Sequence, residues 1–85
     1  MRSSTTKRFR DAFAGLPVGI RGLARQKYRL WLKEPAHPSL HFKRVGSFWS
    51  VRINNAYRAL GREQEGTMYW LWIGSHDEYE LMIRR

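Results

Sequence analysis

The apolar positions of this chain change period once. In the first part Phe9, Ala12, Phe13 and Leu16 recur every three or four residues, the spacing of one helix face. Ser3, Ser4, Thr5 and Thr6 stand before them as N-cap candidates, since a short side-chain oxygen can accept from the free N–H groups of a first turn. The pattern predicts a short helix over about residues 5–14, ended at Gly15. Pro17 suits the opening turn of a second helix, where a missing N–H costs nothing. On that helix Ile20, Leu23, Ala24, Tyr28 and Trp31 make one apolar stripe; Arg21, Arg25, Arg29 and Lys33 make a cationic one. Like charges four residues apart repel mildly, so the second stripe is either a solvated face or a contact for phosphates or an acidic partner.

Pro35 and Pro38 stop the helical period. Beyond them apolar and polar residues alternate, which predicts strands over residues 40–45, 48–53, 57–62 and 68–73. Gly46-Ser47, Asn54-Asn55 and Gln64-Glu65-Gly66 supply the turns. Within the second strand Trp49, Val51 and Ile53 share one face, while Ser50 and Arg52 share the other. Trp70 and Trp72, two apart, are expected on one face as core. A short helix over about residues 77–83 can close the domain. The expected class is α+β: two N-terminal helices packed on one face of a four-stranded antiparallel sheet, with a short C-terminal helix as an addition. The sheet face away from the helices is left to the alternating polar residues.

Composition narrows this picture. Eighty-five residues make a single domain, with four each of Trp, Tyr and Phe to fill one core. The absence of cysteine excludes a disulfide framework and a cysteine-rich zinc site. No apolar run is long enough to span a membrane, and residues 1–10 are polar and basic without an apolar segment, so a cytoplasmic protein is expected. The net charge is +9, and its distribution is uneven. Residues 1–45 carry eleven Lys/Arg against two Asp/Glu, whereas residues 46–85 carry five of each. A surface this basic attracts polyanions, and solubility alone does not need it.

Candidate chemistry lies where the last apolar run stops. Tyr69 to Ile73 gives way to Gly74-Ser75, and then to His76 beside Asp77 and Glu78. Lys43, Arg44, Arg52, Arg58 and His76 come from four successive strands or their ends, so in-order pairing gathers them on one side of a small sheet. Such a basin has the parts for cleaving RNA through its own 2′-hydroxyl. A base takes the hydroxyl proton, cations stabilise charge on the phosphoryl oxygens, and an acid protonates the departing 5′-oxygen. Histidine serves either proton role at neutral pH, and arginine grips phosphate bidentately. Tyr79, Tyr57 and Trp49 are candidates for stacking on unpaired bases. His37, His41 and His76 make no metal set, and neither metal nor cofactor is expected. On residue type alone a lone histidine after a core strand, like His76, is more often a helix-end or surface residue, and Asp77 and Glu78 read as acids favoured by a helix N-terminus.

Four segments in order carry a family likeness: His37-Pro38-Ser39-Leu40 with Phe42-Lys43, Trp49-Ser50-Val51-Arg52, Tyr57-Arg58-Ala59-Leu60, and Trp72-Ile73-Gly74-Ser75-His76-Asp77-Glu78-Tyr79. Together they resemble the strand motifs of the RelE/ParE superfamily of bacterial toxins, over nearly the whole chain. The resemblance implies the toxin of a type II toxin–antitoxin pair, partnered by a cognate antitoxin. It further implies a metal-independent, ribosome-dependent endoribonuclease that cuts mRNA and contacts ribosomal RNA. Arg58 then matches a phosphate-binding arginine and Arg52 a basic strand position. His76 falls where relatives carry a catalytic arginine or histidine, and Tyr79 lies near an aromatic used for stacking or proton transfer. Lys43, Arg44, Tyr57 and Trp49 are left as RNA-binding candidates. Where some RNA-cleaving relatives carry two lysines on the second strand, Ser50 and Arg52 stand here. The superfamily also includes non-enzymatic inhibitors of DNA gyrase and members that only bind a partner, and these remain the alternatives.

Overall fold

The computed structural model describes residues 2–84. Strand β1 (Arg2–Thr5) is followed by helices α1 (Lys7–Ala14) and α2 (Val18–Lys33) and a 3-10 turn (Pro38–Leu40). Strands β2 (Lys43–Val45), β3 (Phe48–Arg52), β4 (Tyr57–Gln64) and β5 (Thr67–Ser75) then form a meander, and α3 (His76–Ile83) ends the chain. The sheet has five strands in the order β1-β5-β4-β3-β2. The expected α+β class and antiparallel meander are present, and β1 is the correction: it pairs parallel to β5, which makes the sheet mixed. Residues 3–5, expected to open a helix, instead satisfy the backbone along the outer edge of β5. Only Thr6 among the N-cap candidates serves: its Oγ1 accepts from the Phe9 N–H, and its own N–H donates to the Trp70 carbonyl at 3.1 Å.

The helical hairpin covers one face. Ala24 and Trp31 of α2 are buried with Val51, Ile53, Ala59, Trp70 and Ile73, and Phe9 and Phe13 of α1 pack against the same cluster. Trp31 meets Trp70 and Phe42 edge-on, at 5.2 and 5.8 Å between ring centroids, and Phe42 stacks on Trp49. The cationic stripe of α2 is mostly a solvated face, although the Arg25 guanidinium lies over the Phe13 ring.

The opposite face is not left to polar residues. Helix α3 folds back over it, and Tyr79 is buried with Leu60 and Trp72. Trp70 and Trp72 therefore lie on different faces, contrary to the two-residue period. The cause is a bulge: Leu60 pairs with Trp72 and Gly61 with Trp70, so Leu71 is an extra residue in β5. One inserted residue reverses the alternation and gives each layer a tryptophan.

That second tryptophan explains Gly74. A Cβ at Gly74 would lie 2.9 Å from Cη2 of Trp72 and closer still to Cζ2, because the indole lies across the glycine. Gly74→Ala should accordingly cost about 1–3 kcal/mol through overpacking. Urea unfolding of the variant checks this, and an unchanged midpoint would show that the indole can swing aside.

Candidate active site

The end of β5 becomes α3 without an intervening loop. Ser75 is the N-cap: its Oγ accepts from the Glu78 N–H at 3.2 Å, and the Glu78 carboxylate reaches back to the Ser75 N–H, a complete capping box. The His76 N–H, which has no partner within the helix, donates to the Ala56 carbonyl at 2.7 Å. Asp77 and Glu78 occupy the first turn as helix-dipole acids. His76 is thus held by its backbone at a sheet-to-helix corner, with its side chain free for other work.

Register does the rest. Arg52 pairs with Arg58, and Arg58 with Gly74, so the two guanidinium groups rise beside a position that has no side chain. The neighbouring row is Lys43, Ser50, Leu60 and Trp72. Where these rows meet α3 there is a cleft of about 180 Å³. Its walls include Lys43, Arg52, Arg58, His76 and Tyr79. His41 and Glu80, which were not sequence candidates for the site, line it as well, beside Val45, Ser50 and Ile83.

Both arginines of the cleft are oriented by hydrogen bonds. Arg52 spans two partners, donating from Nη1 toward His41 Nε2 at 3.4 Å and from Nη2 to the Asn55 side-chain carbonyl. Arg58 donates to the backbone carbonyls of Tyr57 and Asn54, at the hairpin that Asn54 itself closes by accepting from Ala56 and Tyr57 N–H groups. Burial, and then the adjacent Arg52 charge, lower the Arg58 pKa, while Tyr79 and Glu80 oppose the shift. Among the described residues the ion pairs are Lys7–Asp11 and His76–Glu80, so neither arginine has a carboxylate at salt-bridge distance. Two like charges side by side without a counter-ion are an anion-binding arrangement. His76 Nε2 lies 3.2 Å from Glu80 Oε1, one helical turn on.

The other sequence candidates are not in the cleft. Trp49 and Tyr57 pack on the helix-covered face, so neither ring is available there for stacking. Arg44 pairs with Trp49 in register and donates to the Gly46 carbonyl, outside the cleft lining. Tyr79 does line the cleft, but its ring is only 4 % exposed and packed in the second core. Among the described residues no cluster of His, Asp and Glu has a metal-holding arrangement. Nor is any described helix long and apolar enough to cross a membrane.

Residues 19–81 match the model of the ParE-like toxin domain family. The chain belongs to that family, and with it to the RelE/ParE superfamily of toxins. No curated protein matches the sequence. Solved structures of this superfamily share the fold at low identity. The RelB–RelE antitoxin–toxin complex from Methanococcus jannaschii is 13% identical, covers 92% of this chain and 95% of that one, and superposes with a TM-score of 0.72. The YoeB/ParE toxin from Agrobacterium tumefaciens is 15% identical, with 89% and 99% covered and a TM-score of 0.69. A RelBE toxin–antitoxin complex from Mycobacterium tuberculosis is 20% identical, with 88% and 96% covered and a TM-score of 0.67. This member of the superfamily thus keeps the shared sheet and helical hairpin on a sequence that has diverged widely.

Proposed function

We propose that this chain is the toxin of a toxin–antitoxin pair and acts as an endoribonuclease on mRNA held by the ribosome. The observation that carries the reading is the cleft: Arg52 and Arg58 without carboxylate partners, Lys43 at the rim, and His76 beside them. The arginines hold the non-bridging oxygens of the scissile phosphate and stabilise the charge that grows there. His76 transfers a proton, and the attacking group is the substrate's own 2′-hydroxyl. Tyr79 walls the site with its ring packed away. Apart from Lys43, the basic residues of the first half, Arg44 among them, lie outside the cleft lining and suit the phosphates of ribosomal RNA, which are recognised by charge and shape. Gyrase inhibition requires no proton-transfer group, which is why the oriented His76 favours the nuclease.

The antitoxin has a separate place to go. On the helix-covered face an opening of about 410 Å³ lies against Phe9, Phe13, Trp31 and Trp70, with Arg10, Arg25 and Lys27 also lining it. It contains neither histidine nor carboxylate and has no chemistry to offer. An amphipathic segment with acidic flanks complements it, and the solved complexes with RelB antitoxins make a protein partner the natural occupant.

The deciding experiment is to map transcript 5′ ends after expression without antitoxin, with and without blocked translation initiation. New ends inside reading frames, dependent on translation, are expected. Intact mRNA with a DNA-damage response would instead assign the chain to the gyrase-directed branch, and no growth effect at all would leave it a binding module.

A further inference from the structure

The cleft holds a second histidine, and the two are bonded in opposite senses. His76 Nε2 faces a carboxylate oxygen of Glu80, so at that contact the imidazole must be the donor. His41 Nε2 faces an N–H of Arg52, so there the imidazole must be the acceptor, with a lone pair on Nε2. One ring is arranged to keep a proton at Nε2, the other to offer a lone pair. The backbone at His41 is also unusual: φ is +43° and ψ +44°, in the left-handed region that side chains seldom occupy. Its N–H closes the 3-10 turn onto Pro38, and the buried Leu40 before it fixes the turn in place. That turn interrupts the strand expected over residues 40–45 and sets His41 at the cleft rim with its side chain exposed. Locally strained residues gather at functional sites, where the surrounding structure holds them.

We infer that His41 is the general base and His76 the general acid of one RNA-cleaving step, an assignment that rests on the nuclease reading above. His41 Nε2 takes the proton from the 2′-hydroxyl, displacing its long contact with Arg52, and the O2′ forms a bond to phosphorus. The P–O5′ bond breaks, and the His76 proton goes to the 5′-oxygen. The products are a 2′,3′-cyclic phosphate and a free 5′-hydroxyl, with no water or metal consumed. Arg52, released from His41, is free to follow the phosphate. The charged and titratable groups facing this pair are Lys43 from β2, Arg52 from β3, Arg58 from β4, and Tyr79 and Glu80 from α3.

The test is single-turnover cleavage of mRNA on programmed ribosomes by wild-type protein, His41→Asn and His76→Gln. Asparagine is chosen at position 41 because it tolerates positive φ and keeps a carbonyl for Arg52, so the variant retains the turn. Two substrates are compared, one normal and one with sulfur in place of the bridging 5′-oxygen, whose thiolate leaves without a proton. On the normal substrate both variants should be slower by about 100-fold or more. On the sulfur substrate His76→Gln should recover to near wild type while His41→Asn stays slow. Wild-type cleavage with His41→Asn unimpaired, or His41→Asn rescued by sulfur, overturns the assignment alone. Failure of the wild-type protein to cleave overturns it together with the nuclease reading.

Discussion

Exchanging His76 for glutamine is expected to slow cleavage of ribosome-bound mRNA by about 10²- to 10⁴-fold while leaving the fold intact. The separation is possible because the imidazole takes no part in building the corner it stands on. The helix start is fixed by the Ser75–Glu78 capping box and by the His76 backbone N–H on Ala56. The side chain is 39 % exposed, and its contact is to Glu80, itself 40 % exposed, so a screened pair of this kind adds little stability. Glutamine can still donate to that carboxylate. Stability should therefore stay within about 0.5 kcal/mol of wild type. Arg52 and Arg58 are untouched, so the substrate phosphate is still held and the loss should fall on the chemical step rather than on binding. Single-turnover rates at saturating protein, with thermal unfolding as the control, check the claim. A variant that folds normally and cleaves within about threefold of wild type would remove His76 from the mechanism.

How much of this was readable beforehand varied with the range of the interaction. The alternation Trp49, Val51, Ile53 against Ser50, Arg52 is local, and β3 follows it. Arg52, Arg58 and His76 were legible as one group because short turns force successive strands to pair in order. Three features depended on partners far along the chain and left weaker marks. Ser3 to Thr5 read as a helix opening, since nothing nearby announces that the edge of β5, more than sixty residues away in sequence, offers parallel pairing. Trp70 and Trp72 read as one face because a bulge at Leu71 has no signature in the alternation; the glycine opposite, Gly61, was the only trace. His41 carries no metal-ligand pattern and no other local mark of a site. Its placement was signalled by the two prolines and the buried Leu40 just before it, which make a turn there more natural than a strand.

The bulge shapes the site. Because the alternation reverses at Leu71, Trp72 faces α3 instead of joining Trp70, and its indole lies over Gly74. Gly74 is the in-register neighbour of Arg58, so the space a side chain would have filled is taken by the Trp72 ring. Tyr79 packs on the same cluster and anchors the helix that carries His76 and Glu80. The catalytic candidates are therefore supported from below by a second core, which Ala12 of α1 joins to the helical hairpin's core by packing against both. An antitoxin seated on the hairpin face would act on the cleft through the sheet between them.

Replacing Trp31 with alanine should have the largest effect on stability, about 3–5 kcal/mol. Trp31 is 1 % exposed and is the common contact of Tyr28, Phe42 and Trp70. Its loss removes the main aromatic link between α2 and the sheet. Two features bear on where in the range the value falls. The indole N–H has no hydrogen-bond partner among the described residues, so its burial is already a penalty that alanine relieves. Against this, the opening of about 410 Å³ beside it means that truncation enlarges an existing gap. The first effect is worth about 1–3 kcal/mol, and the lost burial and aromatic contacts exceed it. For a domain of this size, whose total stability is on the order of 5–10 kcal/mol, such a loss should lower the melting temperature by roughly 15 °C or more. Trp31→Phe keeps a ring and sheds the unpaired N–H, so it should cost less than about 2 kcal/mol. Denaturant unfolding of both variants decides the point: an alanine variant less than about 1 kcal/mol below wild type would mean that α2 is held to the sheet by other contacts.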